Sequence, residues 1–133
     1  MITSNSEAGN DTGGSLEAAG PPRLHGGLVR KDVRWHILDG RAATIGVSWF
    51  MIQAGDCCTL HIHTGKTETW MFLAGHAVVS RGSENIAVGP GDAVVTPPGV
   101  SHGIVASWGE DVEFVNIVEF IDGEPVTTTE LGD

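Results

Sequence analysis

The sequence predicts an all-β domain, an antiparallel barrel or sandwich, on three observations. Glycine supplies 19 of the 133 residues, about twice the usual share of roughly 7%. It weakens helix and strand interiors but serves turns well. Second, roughly nine short strand-like runs follow one another at close spacing. Third, turn dipeptides such as Gly82-Ser83, Pro90-Gly91 and Pro98-Gly99 separate several of those runs.

The elements follow in order. Residues 1–22 hold almost no large apolar side chain and end in Pro21-Pro22, so they cannot offset their ordering entropy. They predict a disordered acidic tail (1–22) ahead of one β domain (23–133). Val33 to Leu38 is a short strand. Ala43 to Gln53 is a longer one with two faces, Ala43, Ile45, Val47, Trp49, Met51 against Thr44, Gly46, Ser48, Phe50, Ile52. The first face is the more apolar, so it is expected to point at the core. Strands are then expected over Asp56 to His63, Thr67 to Leu73, His76 to Arg81 and Glu84 to Val88. Gly82-Ser83 fits a two-residue hairpin turn. Pro90-Gly91 and Pro98-Gly99 each fit the centre of a type II turn. Ala93 to Thr96, His102 to Ser107 and Asp111 to Ile121 complete the set.

Charge narrows the function. The chain carries 17 acids and 7 bases, a net −10. Residues 110–133 alone carry eight acids and no base. Such a surface repels phosphate backbones and anionic lipids, which disfavours nucleic acid and membrane partners. The adjacent Cys57-Cys58 pair has no other cysteine to bridge to, and a vicinal disulfide would be strained. Two thiols in a reducing compartment, and so a cytoplasmic protein, are expected. Neither a secretory signal nor an apolar run of spanning length is read from the sequence. Tyrosine is absent, which excludes any mechanism that needs one.

The chemistry gathers in four residues. His61 and His63 are i and i+2 on one strand, on one face and about 6.5–7 Å apart along it. Glu68 follows at an odd separation, so Thr64-Gly65-Lys66 must turn the chain to bring it to the same point. His102 stands at the head of another strand, just after the Pro97-Pro98-Gly99 turn. Any one of these alone reads as an ordinary surface or satisfied polar residue. Two other motifs fail their context. Gly65-Lys66-Thr67 lacks the glycine of a phosphate loop, because Leu60 stands there. Gly99-Val100-Ser101-His102-Gly103 resembles a nucleophile elbow, but no histidine follows His102 to complete the triad.

The spacing of Gly55, His61, His63, Glu68 and Gly75, then of Gly91, Pro97, Gly99 and His102, resembles the two motifs of the cupin family over residues 55–102. One position departs: Ala106 stands where the family often has an asparagine that is not a ligand. The resemblance implies an antiparallel jelly-roll β-barrel, usually a homodimer. It also implies one divalent transition metal on His61, His63, Glu68 and His102, with two coordination positions left open. Imidazole and carboxylate donors suit Fe, Mn, Zn, Ni or Cu, and sequence does not choose among them.

Strand parity counted from the ligands predicts the cavity lining: Cys57 and Thr59 with His61, Trp70 and Phe72 with Glu68, Ile104 with His102, and Trp49 and Met51 from the apolar face above. For Phe72 and Ile104 simple core packing is the stronger reading. Lys66 is the cation nearest the metal loop, and with few bases around, a small neutral or singly charged organic substrate is expected. His25, His36 and His76 have no partner pattern and read as surface histidines. The function expected is a mononuclear metalloenzyme, an oxygenase slightly ahead of isomerase, cyclase, lyase or condensation chemistry, with Glu68 a candidate base. The alternative is a non-catalytic small-molecule-binding or sensing cupin.

Overall fold

The computed structural model describes residues 23–31 and 44–132. The expected tail (1–22), the Val33–Leu38 strand, the start of the next strand at Ala43, and His36 lie outside the described residues. Among the described residues eleven strands run as β1 Arg23–Leu24, β2 Leu28–Lys31, β3 Ile45–Ile52, β4 Cys57–Thr64, β5 Lys66–Ala74, β6 Ala77–Arg81, β7 Glu84–Val88, β8 Ala93–Thr96, β9 His102–Ala106, β10 Val112–Phe120 and β11 Thr127–Gly132. They form two antiparallel sheets, β1-β2-β3-β10-β5-β8 and β11-β4-β9-β6-β7, with the core between them. The all-β jelly-roll expectation holds. No helix of the described residues is long and apolar enough to cross a membrane.

The turns do what their residues require. Gly82-Ser83 joins β6 to β7 with Arg81 paired to Glu84. The Pro98-Gly99 turn is closed by Val100 N–H donating to Pro97 O at 3.4 Å, and it delivers His102 to the start of β9. Gly65, between β4 and β5, has φ +77° and sits where a Cβ would lie 2.3 Å from Pro125 O. Only glycine combines that backbone with that approach, so the turn that carries the chain from His63 to Glu68 depends on it.

The inner faces pack as expected of a sandwich. Phe114 on β10 lies between Phe50 on β3 and Phe72 on β5, ring centroids 5.7 and 5.3 Å away. Ile52, Val79, Ile104 and Val112 fill the same core.

The expectation for β3 is corrected here. Phe50 and Ile52 are buried, while Trp49 is 41% exposed and Ile45 44%. Trp49 and Met51 therefore point outward, away from the cavity they were expected to line. Counting apolar residues favours the outward face of this strand, since Thr44, Gly46 and Ser48 share the inward one. The choice is made by register: β10 sets Phe114 beside Phe50 and Val112 beside Ile52, and only this parity continues the phenylalanine layer. Outside, Trp49 has compensating partners. Its indole N–H donates to Glu113 at 3.1 Å, and Lys31 Nζ lies 4.7 Å above its ring, a cation–π contact.

Candidate metal centre

His61, His63, Glu68 and His102 are all buried, and one donor atom from each lies within 4.8 Å of the others. β4 carries His61 and His63, β5 carries Glu68, and β9 carries His102. The register places His102 directly across from His61. Parity and turns thus bring three strands from both sheets to one point.

The imidazoles are aimed by their other nitrogen. His61 Nδ1 faces Thr59 O at 2.7 Å and His102 Nδ1 faces Val100 O at 3.2 Å. A carbonyl only accepts, so each Nδ1 carries the proton and each Nε2 keeps its lone pair for a metal. His63 Nδ1 is fixed by the Thr128 hydroxyl at 2.8 Å. Burial, with His102 and His25 nearby, lowers His61 to about 2. Burial outweighs the Glu68 carboxylate and lowers His63 to about 4. Both rings are neutral at neutral pH, the form in which imidazole binds a metal.

Glu68 is held from both sides. Its Oε1 lies 3.0 Å from His102 Nε2 and 3.6 Å from His63 Nε2. Its Oε2 takes Lys66 Nζ at 3.2 Å and Asn116 Nδ2 at 3.1 Å. Burial alone would raise this carboxyl, but its contacts with His102, Lys66 and His63 outweigh that. The group stays well below the usual carboxylate range. Asn116 Oδ1 is buried with no hydrogen-bond partner among the described residues.

These residues fit a divalent metal. Metal–ligand bonds of about 2.1 Å at right angles put neighbouring donors roughly 3 Å apart, close to the Oε1 separations above. A cation between His102 Nε2 and Glu68 Oε1 also satisfies two groups that each already have a partner on their far side. With Oε2 committed to Lys66 and Asn116, Glu68 is set up to ligate through one oxygen.

The predicted cavity lining divides. Trp70 is buried edge-on to His102, ring centroids 4.7 Å apart. Lys66 is buried, with its ammonium on Glu68. Phe72 and Ile104 are core residues. Cys57 is corrected along with Trp49 and Met51. It pairs with Val105, an outward residue 56% exposed, while Cys58 pairs with buried Ile104. The register shifts between Cys58 and His61, a β-bulge that puts Cys58 and His61 on one face although they are three apart. Gly103 accommodates it: a Cβ there would meet Cys58 O at 2.8 Å. Burial raises the Cys58 thiol well above its ordinary value, which keeps it inert. Thr59 sends its hydroxyl to Glu130, which stands across from His61 on the last strand.

Four contributors were not legible in the sequence, the first being Asn116 on β10 beside Glu68. Thr128 and Glu130 lie on β11, across from His63 and His61. That strand is short, polar and exposed, so no alternation announces it. His25, expected at the surface, stacks on His61 with centroids 3.7 Å apart and planes within 3°. His76 is the surface histidine expected, paired with Glu110 at 2.8 Å.

A cupin-domain family model matches residues 48–118, more than half of the chain, and the chain belongs to the cupin family. No curated protein matches it. Among solved structures, a predicted oxalate decarboxylase from Thermotoga maritima is 25% identical with a TM-score of 0.55, over 56% of this chain and 65% of that one, just under two thirds of its length. KdgF from Halomonas sp. is 23% identical, TM-score 0.61, over 73% and 82% of the two chains. An uncharacterized Klebsiella pneumoniae protein with a double-stranded beta-helix domain is 21% identical, TM-score 0.64, over 85% and 93%. The last two likenesses concern the fold.

Proposed function

We propose that this domain is a mononuclear metal-dependent enzyme acting on a small organic substrate. The observation that carries the reading is the convergence of three anchored imidazoles and one carboxylate oxygen within 4.8 Å. A structural zinc site is usually closed and often rich in cysteine, whereas here the donors are histidine and glutamate in a barrel interior. When bound, the metal supplies Lewis acidity, or redox chemistry if it is Fe, Mn or Cu. The oxygenase branch is kept ahead of the Lewis-acid branch.

The chain's own residues hold and shape the site. Thr59 O, Val100 O and Thr128 Oγ1 orient the imidazoles, and Lys66 and Asn116 keep Glu68 ionised and pointed. Leaving the metal to act as a base would cost Glu68 both Oε2 contacts or its position, so the geometry favours it as a fixed ligand. Trp70 closes one wall and excludes water beside His102. Because Lys66 is occupied by Glu68, a neutral or singly charged substrate suits the site.

Metal content of protein purified without chelator tests the reading. Stoichiometric Fe, Mn or Cu followed by substrate-dependent oxygen uptake supports the oxygenase branch, and Zn or Ni moves the activity to Lewis-acid chemistry. A folded protein that takes up no metal on reconstitution refutes the enzyme reading and leaves a binding module. The homodimer remains a proposal. Its support is an apolar strip on the outer face, where Trp49, Val115 and Met71 are neighbours across three strands and Trp49 and Met71 are each 41% exposed. Light scattering should give twice the monomer mass, and Met71→Glu should restore the monomer.

A further inference from the structure

His25 occupies an unusual position. It is a non-glycine residue with φ +46° among the described residues, a left-handed conformation that persists only where its surroundings enforce it. They do so here: Thr59 N–H donates to His25 O at 2.8 Å, and Gly27 N–H donates to Cys57 O at 2.7 Å. The β1–β2 turn is thereby pinned to β4 beside the metal ligands. The ring lies flat on His61, and its Nδ1 meets Glu130 Oε2 at 2.7 Å. The other Glu130 oxygen accepts from Thr59.

Both stacked rings thus turn Nδ1 toward the Thr59–Glu130 edge, His61 to the Thr59 carbonyl and His25 to the carboxylate. Their Nε2 atoms project away from that edge, and His61 Nε2 belongs to the metal centre. His25 Nε2 has no hydrogen-bond partner among the described residues. Parallel planes separated by the stacking distance place His25 too far for the metal itself, since Nε2–metal bonds are about 2.1 Å. They leave it at the height of a molecule bound there. The carboxylate–imidazole pair has the form in which one acidic partner fixes the tautomer and leaves the far nitrogen as an acceptor.

We propose that His25, oriented by Glu130, contacts the molecule bound at the metal, its Nε2 accepting a hydrogen bond from a hydroxyl or N–H next to the ligand's metal-bound oxygen. This rests on the metal reading above. It deepens that reading by naming the ligand class: an oxygen chelator carrying a neighbouring hydrogen-bond donor.

The test uses the full chain loaded with Co(II), with visible absorption reporting the binding of acetohydroxamate and of N-methylacetohydroxamate, which chelates alike but has no N–H. Wild type should prefer acetohydroxamate. His25→Phe keeps a flat ring over His61 but removes both nitrogens. It should hold cobalt one-to-one, bind acetohydroxamate at least tenfold more weakly and lose the preference between the two probes. Glu130→Gln should lose about threefold. Equal acetohydroxamate affinity in wild type and His25→Phe overturns the proposal. So does loss of cobalt from His25→Phe, which would make His25 a support for His61 only. Failure of the wild type to bind cobalt would refute the metal reading itself, and the proposal with it.

Discussion

Lowering the pH from 8 to 5 should strip the metal-free domain of much of its stability, and two buried histidines set the amount. In the unfolded chain an imidazole titrates near 6.5, whereas the fold holds His61 at about 2 and His63 at about 4. Both folded values are depressed, so the unfolded state binds protons more tightly. Stability is fully present above pH 6.5 and is lost as pH falls through the window down to the folded values. At pH 5 each ring contributes a loss of about 2 kcal/mol, at about 1.4 kcal/mol for each pH unit below 6.5. The pair loses about 4 kcal/mol, out of a total that for most domains is roughly 5–15 kcal/mol. Glu68 and Glu130, both held below the usual carboxylate range, add their own losses only nearer pH 4, which is why pH 5 isolates the histidines. Urea unfolding in the presence of a chelator, at fixed ionic strength and at each pH from 8 to 5, gives the free energies by linear extrapolation. The slope between pH 6 and 5 should approach two protons per molecule. A total loss under about 1 kcal/mol across the range would refute the claim that these rings are buried neutral.

Three other outcomes follow from the same geometry. His61→Ala and His102→Ala should each lose most of the bound metal while the circular dichroism spectrum stays that of a folded β domain; full metal occupancy in both would refute the four-ligand centre. Lys66→Met strands the buried Glu68 carboxylate, a change that costs about 3–5 kcal/mol when one partner of a buried pair is removed. Thermal unfolding should show a larger drop in the metal-free form than in the loaded form, where the metal supplies the missing positive charge. Gly65→Ala places a Cβ against the Pro125 carbonyl at φ +77°. It should destabilise by more than about 1 kcal/mol, read as a lower urea midpoint, and weaken metal binding by displacing Glu68.

The convergence of the four candidate ligands was legible because each is placed by a short-range rule, and the spacing that resembles the cupin motifs joined them into one set. His61 and His63 share a face by the two-residue period of a strand. Gly65 turns the chain so that Glu68 returns to that face, and Pro98-Gly99 sets His102 at the head of β9. Composition and turn dipeptides likewise sufficed for an all-β chain. Parity failed wherever a rule had to extend past a local irregularity or rest on a count of apolar residues. The bulge between Cys58 and His61 reverses the face of Cys57, and nothing in Cys57-Cys58-Thr59-Leu60 marks it. On β3 the more apolar face is the outward one, and the layer formed by Phe114, a residue sixty-four positions beyond Phe50 in the chain, decides against the count.

The groups that aim the metal ligands come from further still. Glu130 meets His25 across 105 residues, Thr128 meets His63 across 65, and Asn116 meets Glu68 across 48. Sequence by itself determined the all-β class and the turns, which depend on neighbours a few residues apart, while the four donors together were read from the spacing that resembles the cupin motifs. The tertiary structure alone decided which nitrogen each imidazole presents, which oxygen of Glu68 is free and what stands over His61. Those depend on strands that meet only when the sheets close around the core.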